Sequence, residues 1–381
     1  MKKVGGKRQT VIPIDAFLGE RKRGRSVVTK ALEEKMVISA LETSYRKSRK
    51  ILEGKRSTEN IRQKVIAKGE EAKVLEKSGV NPLPIEEKES KEAQSPESTY
   101  KKAGKQTQDT KDTKQAKGSF IRKFMAKLFE LRIIYFMADG VGVERQYPED
   151  EKKKGKRECK VGLFLSQTGE TIKELGTFCT WNRVDEFKKM TENLLLKILI
   201  PFTTVVIISD GAKWIRNLRK KIPRLEKAIW ILDWFHLKDT TLKMFRVFGL
   251  TEESEGSEES EESQAVKTTL SWLWHGNTQK ALEIINKLPF AQEEQEREKQ
   301  EIALRKLKTY LKNQEEGIVN YQAYKMKGYL VGSGYMEKRN DTLIKDRMVR
   351  QGRMKWGLKG GEAMMQLLTA RMNGRLGELF A

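Results

Sequence analysis

Residues 202–236 read FTTVVIISDGAKWIRNLRKKIPRLEKAIWILDWFH, and this stretch decides the fold. An apolar run, Val205 to Ile208, leads into Asp210 and Gly211; a helical stretch from Ala212 to Lys221 follows, and a second apolar run, Ala228 to Leu232, ends on Asp233. Short β-branched runs bounded by turn residues read as buried strands. The unit is strand, carboxylate, helix, strand, carboxylate. Because α/β sheets place their sites in the crevice at the carboxyl ends of parallel strands, Asp210 and Asp233 are candidates for a catalytic floor.

Upstream, LRIIYFMADG (131–140) is a further apolar run that ends on Asp139 and Gly140. Lys156 to Ser166 and Glu174 to Thr180 have strand composition, and the turn Gln167 to Glu170 joins them as an antiparallel pair. With an amphipathic helix from Val184 to Leu199, the order becomes βββαβαβ. A right-handed crossover lays the fourth strand parallel to and beside the first, so Asp139 and Asp210 are expected on neighbouring strands with their carboxylates facing each other. Two such groups repel unless a cation lies between them. Carboxylate oxygens are ligands that Mg²⁺ accepts, with waters and substrate phosphate completing its shell. A pair of such ions about 4 Å apart clamps an in-line displacement at phosphorus. The competing reading is that Asp-Gly after a strand is ordinary turn chemistry.

The rest of the chain says what such a floor would act on. The 381 residues carry 76 Lys+Arg against 53 Asp+Glu, a formal charge of +23, which favours a polyanion and nucleic acid first. Apolar stretches fall far short of the roughly 20 residues of a spanning helix, and no hydrophobic segment near Met1 suggests secretion, so the cytoplasm and no membrane partner are expected. Cys159 and Cys179 are too few for a disulfide framework and lack zinc spacing; both read as strand residues.

Residues 1–76 form a basic helical region, with 14 Lys/Arg against 5 Asp/Glu in the first 50. Ser26–Leu41, Ser44–Leu52 and Ser57–Leu75 read as three helices, with Thr43, Ser44, Ser57 and Thr58 as caps. Such a helix-turn-helix type module would present Arg46, Lys47, Arg49 and Lys50 to phosphates, although many three-helix bundles bind no DNA. Residues 77–118 are too polar to fold and read as a disordered linker. The sheet domain occupies 119–239, beginning with a short helix from Phe120 to Glu130. A helical insertion at 240–328 carries the acidic loop 251–264, and Trp272 and Trp274 in it read as helix packing. Residues 329–381 return to the sheet domain: Gly332 and Gly334 mark a tight loop, a helix begins at Tyr335 with Glu337 near its start, and ten Lys/Arg face three acids between Lys338 and Arg375.

ADGVGV (138–143), RECKVGLFLSQTGE (157–170), SDGAKWI (209–215), DWFHL (233–237) and GSGYMEKRNDTLIKDRM with GRMKWGLKGGEAM (332–364) resemble, in that order, the blocks of a DDE transposase. The set is most similar to the Lre-type insertion-sequence family, related to the Kra-type and long carried as uncharacterised, over about residues 120–375. RGRSVVTKALEEKMVISALETSYRKSRKIL resembles, more loosely, that family's helical DNA-binding region.

The resemblance implies a ribonuclease H-like mixed sheet interrupted by an all-helical insertion. It places the catalytic carboxylates, which are also the ligands for two Mg²⁺ (or Mn²⁺) ions, on Asp139, Asp210 and Glu337. Asp233 and His236 match a D-x-x-H signature; His236 would orient a scissile phosphate or a carboxylate, or cap a helix, while His275 is structural. Lys338, Arg339, Arg347, Arg350, Arg353 and Lys355 would neutralise phosphates. The partners implied are transposon-end and target DNA, and a homo-oligomer of at least two protomers. Such families tend to be longer at the N terminus, so a shortened copy is expected. Three readings follow: a transposase that cleaves and joins DNA ends, a structure-selective nuclease on the same fold, or a non-catalytic transposase-derived DNA-binding protein.

Overall fold

The computed structural model describes residues 2–4, 7–9, 28–52, 57–78, 132–146, 155–199, 203–251, 261–351 and 354–381. The expected linker from residue 79 onward, the helix at 120–130, most of the acidic loop and Arg353 lie outside the described residues. The chain divides into two compact units, Met1–Lys64 and Val65–Leu379, with Phe380 assigned to the first and Ala381 to the second.

The first unit holds a small antiparallel ribbon, β1 (Lys2–Val4) with β2 (Lys7–Gln9), and helices α1 (Lys30–Glu42), α2 (Tyr45–Ile51) and the start of α3 (Thr58–Ser78). Side-chain oxygens start all three helices. Thr29 Oγ1 accepts from Leu32 N, Ser44 Oγ from Lys47 N and Ser57 Oγ from Asn60 N. Met36, Val37, Ala40, Leu52 and Ile61 are buried.

The second unit is mixed α/β, built on a five-stranded mixed sheet: β3 (Ile133–Glu144), β4 (Lys156–Thr168), β5 (Thr171–Thr180), β6 (Thr204–Ser209) and β7 (Ile229–Leu232), in the order β5-β4-β3-β6-β7. β3–β4 and β4–β5 pair antiparallel, and β3–β6 and β6–β7 pair parallel. The turn between β4 and β5 is two residues, with Gly169 at φ +58° where a side chain would be strained. The expected element order and the β3–β6 neighbourhood are both observed.

Strand parity explains how the sheet is covered. Ile134, Phe136 and Ala138 on β3 face one side with Phe164, Phe178 and Ile207, and there they meet α4 (Val184–Ile198) and α5 (Lys213–Lys221), with the single turn α6 (Pro223–Glu226) beside them. Rings cross this layer in contact: Phe136 to Phe164 at 4.8 Å, Phe164 to Phe178 at 6.1 Å, Phe178 to Phe187 at 4.9 Å and Phe187 to Trp214 at 5.3 Å. The odd positions of β3 face the other side, which the C-terminal helices cover. These are α12 (Gly334–Asn340), a wide π-helical segment over Asp341–Val349, and α13 (Leu358–Met372). Cys159 and Cys179, both buried with free thiols, pack there against Met365 and Thr369. Both faces being covered, the strands run nearly continuously apolar.

The helical insertion follows β7 as α7 (Trp234–Val247), α8 (Glu261–Trp274), α9 (Thr278–Ile285), α10 (Glu294–Gln314) and α11 (Tyr321–Met326). Trp274 stacks on Tyr321 at 5.7 Å and meets Trp234 at 4.8 Å, which is helix packing as expected. Among the described residues no helix is long and apolar enough to cross a membrane.

Candidate active site

Parallel pairing of β3 with β6 aligns Met137 with Ile208; Asp139 stands two residues further along β3, and Asp210 is the residue that follows the end of β6. The step of two keeps Asp139 on the face of Met137, the side covered by α12. Asp139 Oδ1 accepts from the Gly140 amide at 2.6 Å, and Oδ2 accepts from Asn340 Nδ2 at 2.6 Å. Burial, and then the negative charge of Asp210, push the Asp139 carboxyl above its ordinary value; the Gly140 and Asn340 hydrogen bonds and the Lys345 charge oppose this. The two acids are therefore coupled electrostatically across adjacent strands.

Asp210 is held by its own turn and by the insertion. Its Oδ1 accepts from Ala212 N at 2.9 Å. Gly211 sits at φ +81°, and a Cβ there would meet the side chain of Gln314. Gln314, at the end of α10 and 5% exposed, donates through Nε2 to the Gly211 carbonyl at 2.9 Å. Tyr310, one turn earlier on the same helix, has its hydroxyl pKa raised by burial and by the charges of Asp210 and Asp233. Its ring is 6.3 Å from that of His236.

Asp233 is buried, and both of its carboxylate oxygens are hydrogen-bonded. Its Oδ1 caps α7 by accepting from Phe235 N at 2.7 Å and His236 N at 3.3 Å. Its Oδ2 accepts from Ser333 N at 3.0 Å and from the Ser333 hydroxyl. One carboxylate thus ties the end of β7 to the loop that starts α12. His236 lies exposed in the first turn of α7.

Glu337 is exposed on α12, three residues before Asn340 and so on a neighbouring part of the helix surface. Among the described residues no three His, Cys, Asp or Glu side chains are gathered closely enough to hold a metal ion. Asp139 and Asp210 come from neighbouring strands, and Glu337 stands on α12, whose last residue, Asn340, bonds Asp139. Asp139 and Asp210 nevertheless supply the hard oxygen donors that a divalent cation takes, and their mutual repulsion is what such a cation relieves.

The expected phosphate contacts divide. Lys338 and Lys355 are exposed, as are Lys47 and Lys50 on α2; the side chains of Arg46 and Arg49 lie outside the described residues. Arg350 is exposed but bridges Asp341 at 3.0 Å and Asp346 at 2.6 Å. Arg339 and Arg347 are buried. Arg339 is 8% exposed and ion-paired to Glu174 on β5; Arg347 is 2% exposed, its guanidinium 5.0 Å from the Trp356 ring.

Sequence reasoning missed Asn340, Ser333 and Gln314. Asn340 had a signal, its i+3 spacing from Glu337; the other two act across long sequence separations and had none.

A pH prediction follows from Asp139. With its pKa raised above 3.8, the folded state binds that proton more tightly than the unfolded chain. Ionising it costs stability, a cost absent below pH 3.8 and complete above the raised value. Without divalent cations, Asp139→Asn should melt at a higher temperature than wild type at pH 7, and the gain should shrink as pH falls toward 3.8. Calorimetric melts across that range check it; a lower melting temperature at pH 7 would count against the strained pair.

A mixed α/β sheet that brings one carboxylate from within β3 near another just after the parallel strand β6 defines the class of site. Residues 121–378 match the family model described as uncharacterised protein family UPF0236, and the chain belongs to that family. No curated protein matches it in sequence. Among solved structures, the Drosophila P element transposase strand transfer complex aligns over 93% of this chain and 95% of that one, with 10% identity and a TM-score of 0.32.

Proposed function

We propose that this protein is a DDE-type transposase of the Lre-type insertion-sequence group, with a ribonuclease H-like catalytic domain that cleaves DNA ends and joins them to target DNA. The observation that carries this is the Asp139–Asp210 pair: two acids on adjacent parallel strands, one raised in pKa by burial and by the charge of the other. A chain of net charge +23 supplies the affinity for DNA that such a centre needs.

Asp139 and Asp210, with Glu337 from α12, would hold two Mg²⁺ ions, or Mn²⁺, which when bound stabilise charge on the transferring phosphate and make water or a 3′ hydroxyl nucleophilic. The protein's own work is placement. Gly140 and Asn340 orient Asp139, the Ala212 amide and the Gln314 clamp orient Asp210, and Asp233 fixes the loop that carries Glu337 toward the sheet. Lys338 and Lys355 are exposed near the same segment and would bind backbone phosphates without reading bases. No covalent enzyme intermediate is required. Joining two ends calls for at least two protomers.

The test is an end-cleavage assay with duplexes carrying inverted repeats sought on either side of the gene, run in Mg²⁺, Mn²⁺ and EDTA. Cation-dependent nicks that leave 3′ hydroxyl ends are expected. DNA binding with no cleavage under any condition would instead identify a non-catalytic derivative.

A further inference from the structure

Asn340 closes α12 and is 1% exposed. Its Nδ2 donates to Asp139 Oδ2 at 2.6 Å, while its Oδ1 is buried with no hydrogen-bond partner among the described residues. An ionised carboxylate only accepts, so the amide nitrogen must face Asp139 and the oxygen is left over. Burying that oxygen unmatched costs its desolvation without a compensating bond. The bond to Asp139 accounts for the amide nitrogen and leaves the oxygen unexplained. The helix changes to π geometry at the next residue, Asp341, and such widened turns often mark functional sites.

We propose that Asn340 Oδ1 is a ligand, directly or through one water, for a divalent cation held beside Asp139, while Nδ2 orients the Asp139 carboxylate. The proposal rests on reading the Asp139–Asp210 pair as a cation centre and adds a donor that the three-acid scheme lacks. Amide oxygens are accepted ligands of hard cations. A neutral one suits this position, because it adds an oxygen without adding a third charge to two carboxylates that already repel. It also shares one planar amide with the nitrogen bound to Asp139, so the donor and the acid it orients move together.

Mn²⁺ binding to the full-length protein, followed by loss of the free-ion paramagnetic resonance signal and by calorimetry, tests this without requiring activity; melts in EDTA check that each variant is folded. Asn340→Ala and Asn340→Leu should bind Mn²⁺ at least about tenfold more weakly, the scale of loss when a metal site's supporting polar group is removed. Asn340→Asp keeps an oxygen but loses the donor, and should bind at least as tightly as wild type. If Asn340→Asp weakens binding as much as Asn340→Ala, the oxygen is not a ligand and the proposal fails. It fails too if a folded Asn340→Leu binds as wild type does while Asp139→Asn abolishes binding, a result that leaves the cation centre standing. Absence of any Mn²⁺ binding by wild type overturns both.

Discussion

Asp139→Asn or Asp210→Asn should lower cation-dependent DNA cleavage by about 10³-fold, equivalent to about 4 kcal/mol of lost charge stabilisation, while DNA affinity stays unchanged. Asp139 on β3 and Asp210 just after β6 stand on neighbouring strands, and burial together with the charge of Asp210 has raised the pKa of Asp139. An amide removes the charge that holds a metal ion but keeps the size and a hydrogen-bonding oxygen, so the fold survives. DNA affinity comes from basic residues elsewhere and does not need either acid. Cleavage rates beside filter-binding curves separate the two effects. Equal rates for wild type and both variants would remove the pair from the chemistry.

The second large effect is on stability. Asp233→Ala should destabilise the protein by about 3 kcal/mol, from a lost helix cap of about 1 kcal/mol and from amide and hydroxyl donors left unmatched near the core. Four donors converge on that carboxylate: the Phe235 and His236 amides, the Ser333 amide and the Ser333 hydroxyl. For a unit of this size the melting temperature should fall by about 4–6 °C. Asp233→Asn should lose less, since its oxygen still caps α7, but its amide nitrogen then faces the Ser333 donors. A melting temperature for Asp233→Ala within a degree of wild type would show that the clamp contributes little.

The strands and their order were legible because buried β-branched runs are distinctive and because a crossover connection has a fixed hand. That handedness alone brought Asp139 beside Asp210, although 71 residues separate them. Burial of the basic residues was not legible. Counting ten cations between Lys338 and Arg375 cannot distinguish Lys338, which faces solvent, from Arg347, which packs on Trp356, because that depends on which helix face meets the sheet. The same holds for Asp233. As part of a D-x-x-H signature it reads as a site residue, and only the return of Ser333 from 100 residues away reveals a clamp. Gln314 shows the limit most clearly, since a glutamine ending an insertion helix gives no sequence hint that it fixes the turn bearing Asp210. The insertion is thus part of what holds the site in shape, a role its amphipathic helices do not announce.

The most direct measurement is strand transfer from a pre-cut terminal-repeat duplex with a free 3′ hydroxyl, incubated with the full-length protein and a target plasmid in Mg²⁺. Covalently joined product that disappears in EDTA and with Asp139→Asn or Asp210→Asn is the predicted result. Nicking of the duplex without any joined product in Mg²⁺ or Mn²⁺, or joining that persists when both acids are replaced, would contradict it.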